Sequence, residues 1–195
     1  MGSGLDEKFV GLIRRLENVN AVCDLGCGSG FLAARLGASG YRVTGIDTSE
    51  CDLEIANRDH ATEKVGFLRA EIGMDLLKLL PDGFKYDAVV SSDVIEHLYR
   101  PAELLEAAAA LLKPGGYLIV GTPYHGYLKN LALSILNKWD AHHGVDWDGG
   151  HIKFFSVRTL RNLVSRHGFQ VVALHCHGRF PWLWKHMICV ARYGG

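Results

Sequence analysis

The sequence lacks net charge, with 21 Lys+Arg set against 21 Asp+Glu in 195 residues. That balance argues against a general nucleic-acid binder, DNA included, which carries a basic excess. It also lacks any apolar run of the ~18 residues a membrane span needs, and its N-terminus has no signal-peptide core. There is no CxxC pair, and the five cysteines, at 23, 27, 51, 176 and 189, make an odd count. Reduced thiols in a soluble cytoplasmic protein fit that usage better than a disulfide framework or a zinc site. Repeats, low-complexity tracts and linkers are absent too, so residues 1–195 are expected to form a single domain. One absence is local: residues 149–195 hold seven basic side chains and no acidic one, while residues 1–148 hold 14 basic and 21 acidic. Such a run is either a solvated face or a surface for an anionic group.

What is present is an alternation of helix and strand patterns. Leu5, Phe9, Leu12, Ile13 and Leu16 fall at helical spacing, which predicts an opening helix over 5–17. Ala21–Leu25, Tyr41–Asp47, Val65–Ala70, Tyr86–Ser91 and Tyr117–Gly121 read as strands, with a helix between each consecutive pair. Continuous apolar strands interleaved with helices imply a parallel sheet covered on both faces, an α/β architecture. The pattern then changes. Residues 123–155 are rich in Gly, His, Trp and Asp, with one helix expected at 127–139, and form an insertion or lid after the fifth strand. Ser156–His167 is a further helix, and the last 27 residues predict two antiparallel strands about a turn at Gly178–Pro181.

The stretch Val22-Cys23-Asp24-Leu25-Gly26-Cys27-Gly28-Ser29-Gly30 carries the most information. Its glycines let the chain turn sharply off a strand and bring backbone N–H groups to a ligand. A dinucleotide, a nucleotide or an adenosyl sulfonium all suit such a turn. The dinucleotide fingerprint asks for a third glycine at position 31, which is Phe31. Asp24, two residues before the first glycine, suits a cationic ammonium or sulfonium and would repel a pyrophosphate. Asp47 lies 21 residues after Gly26, where a carboxylate can accept both hydroxyls of a ribose.

With these residues the chain resembles the class I S-adenosylmethionine-dependent methyltransferases, and most closely the branch of the ubiquinone-biosynthesis O-methyltransferases. Four features carry the resemblance, which runs from Ala21 to about Phe169: the glycine loop Asp24–Gly30; Gly45-Ile46-Asp47; Tyr86-Asp87-Ala88-Val89-Val90 leading to Glu96-His97-Leu98; and Leu112-Lys113-Pro114-Gly115-Gly116-Tyr117-Leu118. The resemblance implies a Rossmann-like, mostly parallel seven-stranded sheet in the order 3-2-1-4-5-7-6, with strand 7 antiparallel and helices on both faces. It implies S-adenosylmethionine as cofactor and S-adenosylhomocysteine as product. Asp24, Gly26, Gly28 and Gly30 would face the methionine end, Asp47 the ribose, and Glu71 the adenine amino group. Glu71 stands where the family more often has Asp.

The resemblance also bears on the chemistry. Amine-methylating nucleic-acid members carry an Asn/Asp-Pro-Pro-aromatic element after the fourth strand, whereas this chain reads Ser91-Ser92-Asp93-Val94-Ile95-Glu96-His97. That segment is similar to a D/E-x-x-E-H element found in O-methyltransferases of ubiquinone biosynthesis and in small-RNA 2′-O-methyltransferases, where it helps hold a divalent metal near the acceptor hydroxyl. At i, i+3 and i+4 of a helical turn, Asp93, Glu96 and His97 would project from one side and share one ion; the alternative is a Glu-His turn that only caps and packs. His151 lies where related enzymes often place a His facing the acceptor, so His151 and His97 are the candidate catalytic groups, with His151 as base or additional metal ligand. His175 and His177 would share one face of a strand, with Cys176 on the other, and read as packing; His142 and His143 read as solvent-exposed. The function expected is methylation, chiefly of oxygen, on a small or lipid-linked acceptor, with peripheral membrane contact through the apolar helix at 127–139. A silent cofactor-binding module and an NAD-dependent oxidoreductase are the competing readings.

Overall fold

The computed structural model describes residues 4–73, 76, 84–143 and 149–195. Seven strands form one sheet: β1 (Ala21–Leu25), β2 (Arg42–Asp47), β3 (Val65–Arg69), β4 (Tyr86–Ser92), β5 (Leu112–Pro123), β6 (Phe169–His177) and β7 (His186–Tyr193). Their order is β3-β2-β1-β4-β5-β7-β6, with β7 antiparallel to both of its neighbours and the other pairings parallel. The architecture is the one the resemblance implies.

Every residue of β1 is buried, because helices cover both faces of the sheet. One apolar layer gathers Phe9, Val10 and Ile13 of α1 (Gly4–Ile13) and Leu32 and Leu36 of α2 (Phe31–Ala38) against Val22, Val90, Ile119 and Ile188. The opposite layer packs Leu104, Leu105 and Leu111 of α4 (Ala102–Leu111), with Leu160 and Val164 of α7 (Val157–Ser165), against Leu25, Val89, Leu118 and Cys189. Between β2 and β3 runs α3 (Glu50–His60), whose N-cap Ser49 accepts from Asp52 N. The cap of α7 is reciprocal: the Ser156 hydroxyl accepts from Thr159 N, and Thr159 Oγ1 accepts from Ser156 N. These caps satisfy end groups that the helices cannot bond internally.

Four boundaries differ from the sequence reading. The opening helix expected over 5–17 ends at Ile13. The helix expected over 127–139 is two, α5 (Tyr127–Ile135) and α6 (Trp139–His143), because Asn137 takes a left-handed φ of 50° just past the end of α5. The connection between β6 and β7 is longer than Gly178–Pro181 and returns at Lys185, whose N–H donates to His177 O at 2.8 Å. β5 starts earlier than Tyr117, at Leu112, so it takes in the Lys113-Pro114-Gly115-Gly116 segment. Most of the helix expected between the third and fourth strands lies outside the described residues. All five cysteines are free thiols. Among the described residues no helix is long and apolar enough to cross a membrane.

Candidate active site

The C-terminal ends of the parallel strands open onto a cavity of about 660 Å³ between β1, β2 and β4, where an open α/β sheet binds ligands. Gly26, Gly28, Asp47, Thr48 and Glu71 line one part of it, and Asp93, Val94, His97, Leu98 and Glu103 the other. Gly26, Gly28 and Gly30 have φ of 76°, 50° and 82°, a region L side chains rarely adopt. A Cβ at Gly30 would stand 2.7 Å from the Phe67 ring, whereas one at Gly28 would meet nothing within 4 Å. Gly28 therefore leaves room on the cavity side, while Gly30 is required for packing and lies outside the cavity wall.

Asp47 ties the loop to the second strand. Its Oδ2 accepts from Gly28 N at 2.7 Å and its Oδ1 from Ser49 N at 2.9 Å. Each carboxylate oxygen keeps a further lone pair for a ligand. Asp24 sits behind the loop, 1% exposed, and its Oδ2 has no hydrogen-bond partner. Burial, followed by the charges of Asp6 and Asp47, pushes its carboxyl up to about 7. An acid so placed gains from the arrival of a cation. A cofactor with an ammonium at one end and ribose hydroxyls further along fits this set of residues: a buried, unpartnered carboxylate oxygen, open space at Gly28, and free acceptor capacity on Asp47.

The end of β4 forms the second half of the site. Ser91 Oγ donates to Leu25 O at 2.7 Å and locks β4 to β1. Asp93 then takes a left-handed φ of 56°, so it does not share a helical face with the 3-10 turn Ile95–His97. The three do not follow one helical turn, yet the Asp93 carboxyl still lies beside Glu96 and lines the same cavity as His97. Asp93 also pairs with His186, Oδ1 to Nε2 at 2.9 Å. Glu96 points inward, 1% exposed, with Oε2 accepting from Thr122 Oγ1 at 2.9 Å and Oε1 4.0 Å from His151 Nε2. The His151 ring meets His97 edge-on at 4.9 Å between centroids. Donor atoms of Glu96, His97 and His151 all lie within 4.8 Å of one another. Burial, then the Asp93 charge, pushes Glu96 up to about 8, and burial with the neighbouring His97 lowers His151.

His151 is held from the backbone. Glu96 O accepts from both Ile152 N and Lys153 N at 3.0 Å, so the 3-10 turn after β4 fixes the segment carrying the histidine. Sequence reasoning missed Thr122, Glu103 and His186. Thr122 was within reach, because it sits at the C-terminal end of β5, the end that faces the crevice. His175 and His177 stack on β6 with rings 11° from parallel, as strand neighbours two apart should. His143 is buried rather than exposed and lies beside His125; burial and the nearby Lys129 push His125 down to about 3.

Comparisons with known proteins agree on one family. A family model described as a methyltransferase domain matches residues 4–174. The chain is 39% identical over 115 residues to the ubiquinone biosynthesis O-methyltransferase of Caulobacter vibrioides, covering 57% of this chain and 43% of that protein. It is 34% identical over 158 residues to the protein of the same name from Methylocella silvestris, covering 78% and 58%. The matched region thus spans about half the length of these curated relatives. Among solved structures, the magnesium protoporphyrin IX methyltransferase of Synechocystis with bound S-adenosylhomocysteine superposes with a TM-score of 0.74 at 20% identity, covering 97% of this chain and 82% of that one. An S-adenosylmethionine-dependent methyltransferase from Mesorhizobium loti gives 0.70 at 18% identity, covering 98% of both chains. A sheet in the order 3-2-1-4-5-7-6, a glycine loop beside two strand-end acids and a family match over most of its length place this chain among the class I S-adenosylmethionine-dependent methyltransferases.

Proposed function

We propose that this enzyme methylates a hydroxyl of a small or lipid-linked acceptor. The observation that carries the reading is the placement of His97 in the wall of the glycine-loop cavity and edge-on to His151, which joins a cofactor site to a proton-accepting group. Bound S-adenosylmethionine supplies a methyl carbon already activated by its sulfonium. The chain has to position the acceptor and take its proton.

Asp24 receives the ammonium of the methionine end, beside the loop of Gly26, Gly28 and Gly30. Asp47 accepts the ribose hydroxyls with the lone pairs left by Gly28 N and Ser49 N, and Glu71, in the cavity wall, accepts from the adenine amino group. His151 is the base. Its Nε2 is turned toward Glu96 Oε1, which leaves Nδ1 for the acceptor's proton, and His97 orients the ring. Glu96, kept largely uncharged near neutral pH by burial, keeps its proton and puts no standing negative charge beside the base.

One carboxylate and two imidazoles also suit a divalent ion held by Glu96, His97 and His151. Chelator treatment with magnesium or manganese add-back decides between base and ion: full activity in metal-free buffer leaves His151 as the base alone. The names of the relatives favour turnover over a silent binding module.

The acceptor class rests on α5. Its one buried side chain is Lys129, while Tyr127, Leu128, Leu131 and Ile135 are 41–79% exposed. A surface helix normally does the reverse, and an apolar face turned outward beside the crevice suits an acceptor with an apolar tail at a lipid surface. Labelled methyl transfer into cell extract separated into lipid, saccharide and RNA pools tests the proposal. Label in the lipid or small-molecule pool, lost with His151→Ala, supports it; label in the RNA pool alone, or none in any pool, contradicts it. Leu131→Ser with Ile135→Ser should leave melting temperature and S-adenosylhomocysteine binding unchanged and lower methylation of a lipid-linked acceptor.

A further inference from the structure

Beside the Glu96–His97–His151 group lies a second set of ring nitrogens. His125 follows β5, while His142 and His143 close α6. One nitrogen from each ring lies within 4.8 Å of the others. His125 and His143 are each 5% exposed, and none of their four ring nitrogens has a hydrogen-bond partner. A neutral imidazole carries one donor and one acceptor, and leaving both orphaned in two adjacent buried rings is costly. The Asn130 side chain lies against His125, but its own Oδ1 is left unpaired and it does not reach His143. Phe154 meets His125 and His143 with ring centroids 5.0 and 4.6 Å away, and Trp139 lies 4.3 Å from His143, so one side of the cluster is an aromatic wall. His142 is the exposed member, open to solvent.

α6 poses a related question. It has five residues, and its one buried residue is His143. No apolar stripe holds so short a helix to the end of β5. A ligand shared by His125 and His143 would do so, and it would also use the orphaned nitrogens.

We propose that His125, His142 and His143 bind one divalent transition-metal ion of the zinc type, which clasps α6 to the end of β5. Three imidazoles without a carboxylate select against magnesium and calcium, which take oxygen ligands, and match a tetrahedral site with one open position. Nitrogens about 2.0–2.1 Å from a tetrahedral ion stand about 3.4 Å apart, so the rings close in by rotation about their side-chain bonds. The Lys129 ammonium, fixed on Tyr124 O at 2.7 Å, repels the bound ion. That favours an anion, such as hydroxide, in the fourth position. The donor set shares no residue with Glu96, His97 and His151, and the clasp stands independently of the methylation reading.

The experiment is a titration of the full chain, stripped by chelator, with zinc chloride against a chromophoric competitor, repeated with cobalt chloride for its visible spectrum. A single tight zinc site and intense four-coordinate cobalt bands are expected. His142→Ala, at an exposed position that preserves the fold, and His125→Ala should each weaken zinc binding about tenfold or more, while Glu96→Gln keeps it. Zinc should also protect α6 from proteolysis. No tight zinc site, or a site lost with Glu96→Gln and kept in both histidine variants, overturns the proposal. Because S-adenosylhomocysteine binding by the stripped protein is measured alongside, its retention shows that a failed zinc site leaves the methyltransferase reading intact.

Discussion

The two ends of the sheet treat their acids in opposite ways. At the N-terminal end of β4, Asp87 Oδ2 accepts from both Asn20 N and Ala21 N at 2.9 Å, and Oδ1 pairs with Lys113 Nζ at 2.6 Å. Burial works against its charge, but these bonds outweigh it and hold the carboxyl below its usual range. At the C-terminal end, Asp24 Oδ2 and Glu96 Oε1 are buried without a partner, and burial lifts the two carboxyls to about 7 and about 8. The saturated end is a joint: the aromatic-Asp pair and the Lys-Pro-Gly-Gly segment, far apart in sequence, are the two halves of one clasp. The unsaturated end carries the buried polar groups that the proposed cofactor and acceptor site uses.

That contrast can be broken by mutation. The largest effect is expected at His151. His151→Ala should lower turnover about 10²–10³-fold, within the usual worth of a general base, with S-adenosylhomocysteine affinity near wild type; an equal loss of cofactor binding would move His151 out of the proton-accepting role. Asp24→Asn comes next and acts on the unliganded chain in the direction of stability. The folded carboxyl ionises at about 7 rather than at its ordinary 3.8, so the stability linked to its protonated form is lost as pH rises between those values. Removing the charge should therefore stabilise the free protein by up to ~2–4 kcal/mol at pH 8 and by little at pH 4. Denaturant titrations at both pH values check this, and an equal gain at both would show that ionisation is not its source.

At the saturated end the sign reverses. Asp87→Ala orphans two backbone N–H groups and Lys113, and should cost about 2–3 kcal/mol of stability while leaving cofactor affinity unchanged in the folded fraction. Asp47 belongs to neither class, since its oxygens are partnered and still have capacity. Asp47→Ala should weaken S-adenosylhomocysteine binding by about 1.5–3 kcal/mol by calorimetry; unchanged affinity in a folded variant would remove it from the ribose site.

How much of this the sequence shows depends on how local each feature is. Asp24, the three glycines and Asp47 are legible because a strand-to-helix turn and the next strand end follow one another within 24 residues. The strand order followed from the family resemblance, and the antiparallel terminal hairpin from its own alternation. For Asp93 the spacing gave the neighbour but not the geometry: it lies beside Glu96, while its left-handed φ breaks the helical turn and lets it pair with His186 on β7. Thr122, Glu103 and the partner of Lys113 depend on tertiary contacts between distant segments, which spacing cannot reveal. The burial of His143 was equally hidden, because it arises where Asn137 breaks the expected single helix and folds α6 back toward β5. The apolar face of α5 was legible as a pattern, and its outward direction agrees with the surface role expected of it.

On the proposed reading Asp24, pushed up to about 7 by burial, is largely protonated in the free protein below that pH and ionises once a cationic group arrives. Calorimetric titration of S-adenosylhomocysteine near pH 6, in two buffers of different ionisation enthalpy, counts the protons exchanged on binding. Release of about one proton in the wild type and of none in Asp24→Asn is the predicted result. Binding with no proton release by the wild type, or release that persists in Asp24→Asn, would contradict it.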